Sequence, residues 1–385
     1  LAGNANGQRL YSEAGNDTLV LGGGNDQGAF GGDGNDSLLG GATGNTLEGG
    51  AGDDTINGGG GADRAAGGAG NDYIYAVIGL DVGIGGNGSD TLDTSAFSGN
   101  YLVNLQTGLT NFSGESFTEF EAVMSGNGND TLSGTDGANF MHGGAGNDSI
   151  LGGAGDDTLN GGGGFDRAAG GAGNDYIYAV IGLDVGVGGN GSDTLDTSAF
   201  SGNYLVNLQT GLTNFSGESF TEFEAVISGT GNDTLIGTDG ANFMHGGAGN
   251  DSILGGADND TLSGGSGSDN LIGGDGLDWV SYASATAAIT IDLNMGRVFA
   301  ADGTDTLSSI EAALGGADAD SLLGGNGNDW LIGGDGADTL IGGAGNDTLI
   351  GGEGGMESLI GGAGDDVILV GNVDLASIWA LFNFP

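Results

Sequence analysis

Large apolar residues recur along this chain in step with a nine-residue unit, each set among small or polar neighbours. Leu38, Ile56, Ile74, Leu92, Ile150, Leu159, Leu340 and Leu349 all hold the same place in that unit. It reads G-G-x-G-x-D-x-U-x, with U the apolar residue. Gly67–Tyr75 is G-G-A-G-N-D-Y-I-Y, Gly143–Leu151 is G-G-A-G-N-D-S-I-L and Gly342–Ile350 is G-G-A-G-N-D-T-L-I. One apolar position between polar ones predicts a strand of two or three residues with one face inward. The glycine-rich first half predicts a turn. Turn and strand then alternate along the chain, and the position-eight side chains pack on their equivalents from neighbouring turns.

The aspartate at position six keeps the phase. It falls at Asp36, Asp54, Asp63, Asp72, Asp81 and Asp90, with Asn45 in step. A second run holds Asp130, Asp148, Asp157, Asp166, Asp175, Asp184 and Asp193, with Asn139 in step. A third has Asp233, Asp251, Asp260, Asp269 and Asp278, with Asn242 in step. A fourth has Asp320, Asp329, Asp338, Asp347 and, after one inserted residue, Asp366. A short run at the start has Asp17 and Asp26.

A longer period overlies this one. Thr94–Met124 reappears as Thr197–Ile227 with only the last residue changed, and a diverged version runs from Tyr282 to Leu314. These inserts are poor in glycine and hold much of the phenylalanine. Within them Tyr101–Leu105 and Ile289–Leu293 alternate as strands do. The expected organisation is a short or imperfect block over 1–30 and repeat blocks over 31–93, 125–196, 228–281 and 315–369. Inserts at 94–124, 197–227 and 282–314 are expected to cap or join them. The tail 370–385 lacks the glycine pattern and is apolar.

Charge sharpens the picture. The chain has 52 acidic residues, four arginines, no lysine, no cysteine and 92 glycines, for a formal charge of −48. Such a composition would ordinarily stay unfolded, so the periodic apolar residues point to folding that waits on neutralisation of the carboxylates. Nucleic acid is excluded as a partner, since phosphate binding needs Lys and Arg. An anionic membrane is disfavoured likewise, and no apolar stretch is long enough to span a bilayer. No secretory leader stands at the start, and the chain begins at Leu1, which suggests processing or a fragment.

The repeat suits one kind of ligand. Glycines at positions one, two and four allow positive φ and a tight turn. Such turns aim carbonyl oxygens to one side, and position six adds a carboxylate. Hard oxygens in number suit Ca2+, whereas zinc and copper sites need the sulfur and imidazole that are scarce here.

With these motifs on the page, the chain closely resembles the RTX (repeats-in-toxin) family of secreted bacterial calcium-binding proteins, over most of its length. The resemblance implies an all-β fold, a right-handed parallel β-roll with two nonapeptides per turn. It implies calcium held between loops 18 residues apart by paired position-six aspartates and backbone carbonyls. The implied pairs are Asp54 with Asp72, Asp63 with Asp81, Asp72 with Asp90, Asp148 with Asp166, Asp157 with Asp175, Asp175 with Asp193, Asp251 with Asp269, Asp260 with Asp278, Asp320 with Asp338, and Asp329 with Asp347. Roughly 15–22 ions at full occupancy would cancel most of the charge. The tail resembles the uncleaved signal read by type I secretion machinery, or else caps the last turn.

Some loops depart from the pattern. Ala76–Ile84 lacks the leading glycines, Asn stands at 45, 139 and 242, and Gly351–Ile360 carries an extra residue. Sites there are expected to be weak or absent.

No catalytic constellation emerges. H-E-x-x-H, G-x-S-x-G and a phosphate-binding G-x-x-x-x-G-K-[ST] are all missing. His142 and His245, at position nine, are expected to face solvent. The expectation is a non-enzymatic, extracellular, calcium-binding structural protein of a bacterial surface, such as an S-layer, matrix, filament or adhesin component. Self-association or surface polysaccharide is the expected partner. The alternative is the export and folding region of a larger secreted protease, lipase or epimerase.

Overall fold

Residue i lies beside residue i+18 through most of the chain, and that register generates the architecture. Ser37, Leu38 and Leu39 pair with Thr55, Ile56 and Asn57, which pair in turn with Tyr73, Ile74 and Tyr75, all in parallel. The computed structural model describes residues 8–22, 27–76, 81–179 and 184–370, and their regular structure is all β. Two compact units, Leu1–Asp193 and Thr194–Pro385, divide the chain. Each is a parallel β-solenoid.

In the first unit one ladder runs through Thr18–Val20, Ser37–Leu39, Thr55–Asn57, Tyr73–Tyr75, Thr91–Asp93, Ala122–Met124, Phe140–His142, Thr158–Asn160 and Tyr176–Tyr178. Alternate nonapeptides form the opposite face. There, six-residue strands such as Thr46–Ala51 and Arg64–Ala69 run on into the next glycine pair. The strand hydrogen bonds continue into the turns, as when Thr55 N–H donates to Asp36 O at 2.8 Å and Arg64 N–H to Asn45 O at 2.8 Å.

Position eight points inward along the stacks, and only at the last turn is it exposed, at Ile368. Leu19, Leu38, Ile56, Ile74, Leu92, Val123, Met141, Leu159 and Ile177 form one buried column, and Ala29, Leu47 and Ala65 face them from the other sheet. A three-residue strand buries little alone, so its stability comes from this column, in which each turn shelters its neighbours. Where the column meets a glycine, an insert fills the gap. The Phe117 ring packs 2.7 Å from the position a Cβ on Gly83 would take.

The insert 94–124 is woven into both faces. Ala122–Met124 continues the short-strand ladder from Thr91–Asp93. Ser116–Thr118 pairs with Val82–Asn87 and ends one stack of the other face. Leu102–Asn104 pairs with Thr131–Ser133 and starts the next, with Leu109–Thr110 folded back on it as a hairpin.

The second unit repeats this plan. Its short-strand ladder includes Ala225–Ile227, Phe243–His245, Thr261–Ser263, Trp279–Ser281, Ala312–Leu314, Trp330–Asp335, Thr348–Glu353 and Val367–Leu369. The insert 282–314 adds an antiparallel excursion, in which Arg297–Phe299 lies between Thr290–Asp292 and Thr304–Ser308. Within these same strands, Trp279, Ala312, Leu314, Ile332 and Ile350 form a second small core, with Trp330 packed against it.

Candidate metal centre

The position-six aspartates stand one above another along the loops between strands. Each lends one carboxylate oxygen to the turn before it. Asp54 N–H donates to Asp72 Oδ1 at 2.8 Å, and Asp72 N–H to Asp90 Oδ1 at 2.8 Å. The same bond joins Asp36 to Asp54, Asp63 to Asp81 and Asp130 to Asp148. It joins Asp148 to Asp166, Asp157 to Asp175, Asp166 to Asp184 and Asp175 to Asp193. In the second unit it joins Asp233 to Asp251, Asp251 to Asp269 and Asp260 to Asp278. Farther along it joins Asp320 to Asp338, Asp329 to Asp347 and Asp347 to Asp366. The aspartates paired in sequence are therefore brought together in space. Asp26, residues 77–80 of the irregular loop and the tail from 371 lie outside the described residues.

The second oxygen, Oδ2, is buried without a hydrogen-bond partner in Asp36, Asp54, Asp63, Asp72, Asp90, Asp148, Asp157, Asp166 and Asp175. The same holds for Asp251, Asp260, Asp269, Asp278, Asp338 and Asp347. An unpartnered buried carboxylate oxygen is costly unless a cation meets it. A carbonyl oxygen converges on the same place. The point where a Cβ on Gly143 would sit is 2.5 Å from Asp148 Oδ2 and 2.6 Å from Gly161 O. At Gly246 the corresponding distances are 2.5 Å to Asp251 Oδ2 and 2.7 Å to Gly264 O. Two acceptors that face each other repel unless a hard cation joins them, and oxygen ligands of these types fit Ca2+. Among the described residues no three Asp, Glu, His or Cys side chains gather round one point. Backbone carbonyls must therefore complete any such site.

Electrostatics agree with that need. Burial, with a neighbouring carboxylate adding to it, pushes Asp54, Asp63 and Asp148 up to about 6. The same causes push Asp157, Asp251 and Asp260 up to about 7. The backbone N–H bond to each opposes the shift but does not cancel it.

Not every loop has a free oxygen. Where the preceding turn belongs to an insert, position six is satisfied locally. Ser125 and Ser228 hydroxyls donate to Oδ2 of Asp130 and Asp233. Thr135 N–H and Thr238 N–H donate to Oδ1 of Asn139 and Asn242, each at 2.6 Å. Gly316 N–H donates to Asp320 Oδ2 at 2.6 Å, and Gly325 N–H to Asp329 Oδ2 at 2.5 Å. Asn45, whose preceding turn is an ordinary repeat, also has a local partner: its Oδ1 accepts Gly41 N–H at 2.7 Å.

The inserts also carry position-six carboxylates that the nine-residue phase does not reveal. Glu121 Oε2 accepts Asp90 N–H at 2.9 Å, and Glu311 Oε2 accepts Asp278 N–H at 3.1 Å. Asp305 Oδ1 accepts Asp269 N–H at 2.8 Å. Outside the inserts, Glu357 in the loop with the extra residue does the same, its Oε2 accepting Asp338 N–H at 2.7 Å. The available signal is an acidic residue directly before a short strand, as in Glu121 before Ala122–Met124.

Two expectations need correction. Glycine at position one does not take positive φ; positions two and four do, as at Gly144 (φ 97°) and Gly146 (φ 139°). Position one is glycine for want of room. His245 does not face solvent freely. It is half-buried, its Nδ1 lies 3.0 Å from Ser263 Oγ, and burial lowers its pKa.

A parallel β-solenoid with buried, half-satisfied aspartates stacked along its loops defines a calcium-binding β-roll. The RTX calcium-binding nonapeptide repeat matches residues 3–27, 30–65, 57–92, 124–159, 160–195, 227–262, 254–283, 314–349 and 351–372. The chain belongs to that family. A search of curated proteins finds no match. Among solved structures, the chain is similar to a hyperactive, Ca2+-dependent, β-helical antifreeze protein from an Antarctic bacterium. Identity is 16%, coverage is 91% of this chain and 83% of that one, and the TM-score is 0.16.

Proposed function

We propose that this chain is an extracellular structural protein of a bacterial surface, without catalytic activity, that folds and assembles when calcium binds. The observation that carries this reading is the row of buried Oδ2 atoms lacking a partner in both units. Metal-free, the fold must bury these carboxylates beside one another; with calcium bound, the same loops become cross-links between turns. Binding free energy then appears as folding free energy. Extracellular calcium modules have affinities of roughly 10⁻⁴–10⁻³ M, so such a chain stays unfolded in a calcium-poor cytoplasm and folds outside. Export by type I machinery, through the apolar tail 370–385, suits that sequence of events. The chemistry brought together is that of cation binding, and the inserts are ladder elements. The partners proposed are further copies of the chain or a surface polysaccharide.

The test is a calcium titration followed by circular dichroism and electron microscopy. The expected result is a coil-to-β transition accompanied by growth into sheets or filaments. Folding to a lasting monomer would favour the export and folding region of a larger secreted enzyme. A chain already β-folded in excess chelator would overturn the calcium-linked mechanism.

A further inference from the structure

Beside the short-strand ladder of the second unit lies a groove of about 440 Å3. Its size falls within the roughly 300–1,000 Å3 of ordinary small-ligand sites. His245, Ser263 and Ser281 line it from the ladder side. Ser284, Thr286 and Asp302 line it from the third insert. Ala285 and Ala300 add apolar ground between the hydroxyls.

The lining narrows the ligand class. An anion is disfavoured, because no Lys or Arg lines the groove and the chain carries a formal charge of −48. A bare metal ion would find a single carboxylate, Asp302, too few for a hard cation. A wholly apolar ligand would strip water from exposed hydroxyls such as those of Ser284 and Thr286. A neutral sugar presents hydroxyl edges and apolar C–H faces together, which matches hydroxyls alternating with alanine. The Ser263–His245 contact fixes one wall of the groove, with the imidazole oriented by the hydroxyl.

We propose that this groove binds a neutral hexose or short neutral oligosaccharide. The site belongs to the second unit by sequence as well as by place. Ser263 follows His245 on the ladder, whereas Asn160 follows His142 at the corresponding point of the first unit. The proposal gives the surface reading a site for its polysaccharide, and it rests on that reading only for the source of the sugar.

The test uses the full chain in saturating calcium. Methyl glycosides of glucose, galactose, mannose and N-acetylglucosamine, together with maltose and cellobiose, are titrated by calorimetry and by saturation-transfer NMR. Ser284→Trp, which fills the groove from an exposed position, and Asp302→Ala are compared with the parent after circular dichroism confirms the calcium-dependent fold. The expected result is saturable binding of at least one sugar, weakened tenfold or more by both substitutions. No saturable binding by the calcium-folded parent, or binding that both variants leave intact, overturns the proposal. Sugar binding by a chain that never assembles supports the groove and counts against the surface reading alone.

Discussion

At position one of the repeat a methyl group has nowhere to go. At Gly143 it would meet Asp148 Oδ2 and Gly161 O, the two oxygens that suit a cation. Gly143→Ala is therefore expected to remove one calcium site from the titrated stoichiometry. It should also destabilise the calcium-loaded protein by about 1–3 kcal/mol, read from denaturant midpoints, as overpacking does. Proton linkage belongs to the same residues. Asp157, Asp251 and Asp260 move from 3.8 to about 7, so between those values the folded chain binds more protons than the unfolded one. The contribution to stability is present below about 4 and is lost as pH rises through 7. Metal-free chain should gain β-structure on acidification over that window, seen by circular dichroism. Calcium affinity should move the other way, weaker at pH 5 than at pH 8, because protons compete for the same oxygens. That aspartates 18 residues apart would meet is readable from phase alone. The crowding at position one is not, because it arises from a carbonyl in the next turn.

The inserts act as splices between stacks of turns, and they change what the next loops need. Asp233 is satisfied by Ser228, and Asp320 by its own turn, so these loops hold together without a shared ion. Ser228→Ala should strand a buried carboxylate oxygen and cost about 1–3 kcal/mol, measured as a lowered midpoint in calcium. Position-eight residues respond by packing instead. Leu262→Ala, at a fully buried site, is expected to cost about 2–5 kcal/mol with calcium stoichiometry unchanged. The strands of the inserts were visible as alternating apolar residues. Their place in the ladders was not, because Thr91 pairs with Ala122, a step of 31 that breaks the nine-residue count. For the same reason Glu121, Asp305, Glu311 and Glu357 hid among ordinary surface acids until the fold set them at position six.

Across the whole molecule, calcium capacity follows from which loops stack on which. Bound ions should number fewer than the position-six aspartates, since loops that follow an insert are already satisfied. Equilibrium dialysis with atomic absorption checks this, and a count equal to or above the number of those aspartates would refute it. The apolar and aspartate periods, and hence the solenoid, are written plainly in the chain because each residue repeats the same environment. Wherever the environment ceases to repeat, one chain's sequence no longer suffices.

The register of 18 has a mechanical meaning as well. Among the described residues of each unit the strand ladders join a turn to the turn before and the turn after, so tension applied along the chain meets one rung at a time. Releasing a rung within a repeat block frees 18 residues, roughly 60 Å of contour. Pulled in calcium, either unit should lengthen in a staircase of such steps, and each step should heal when the load drops. A solenoid built this way yields under strain without losing its connections.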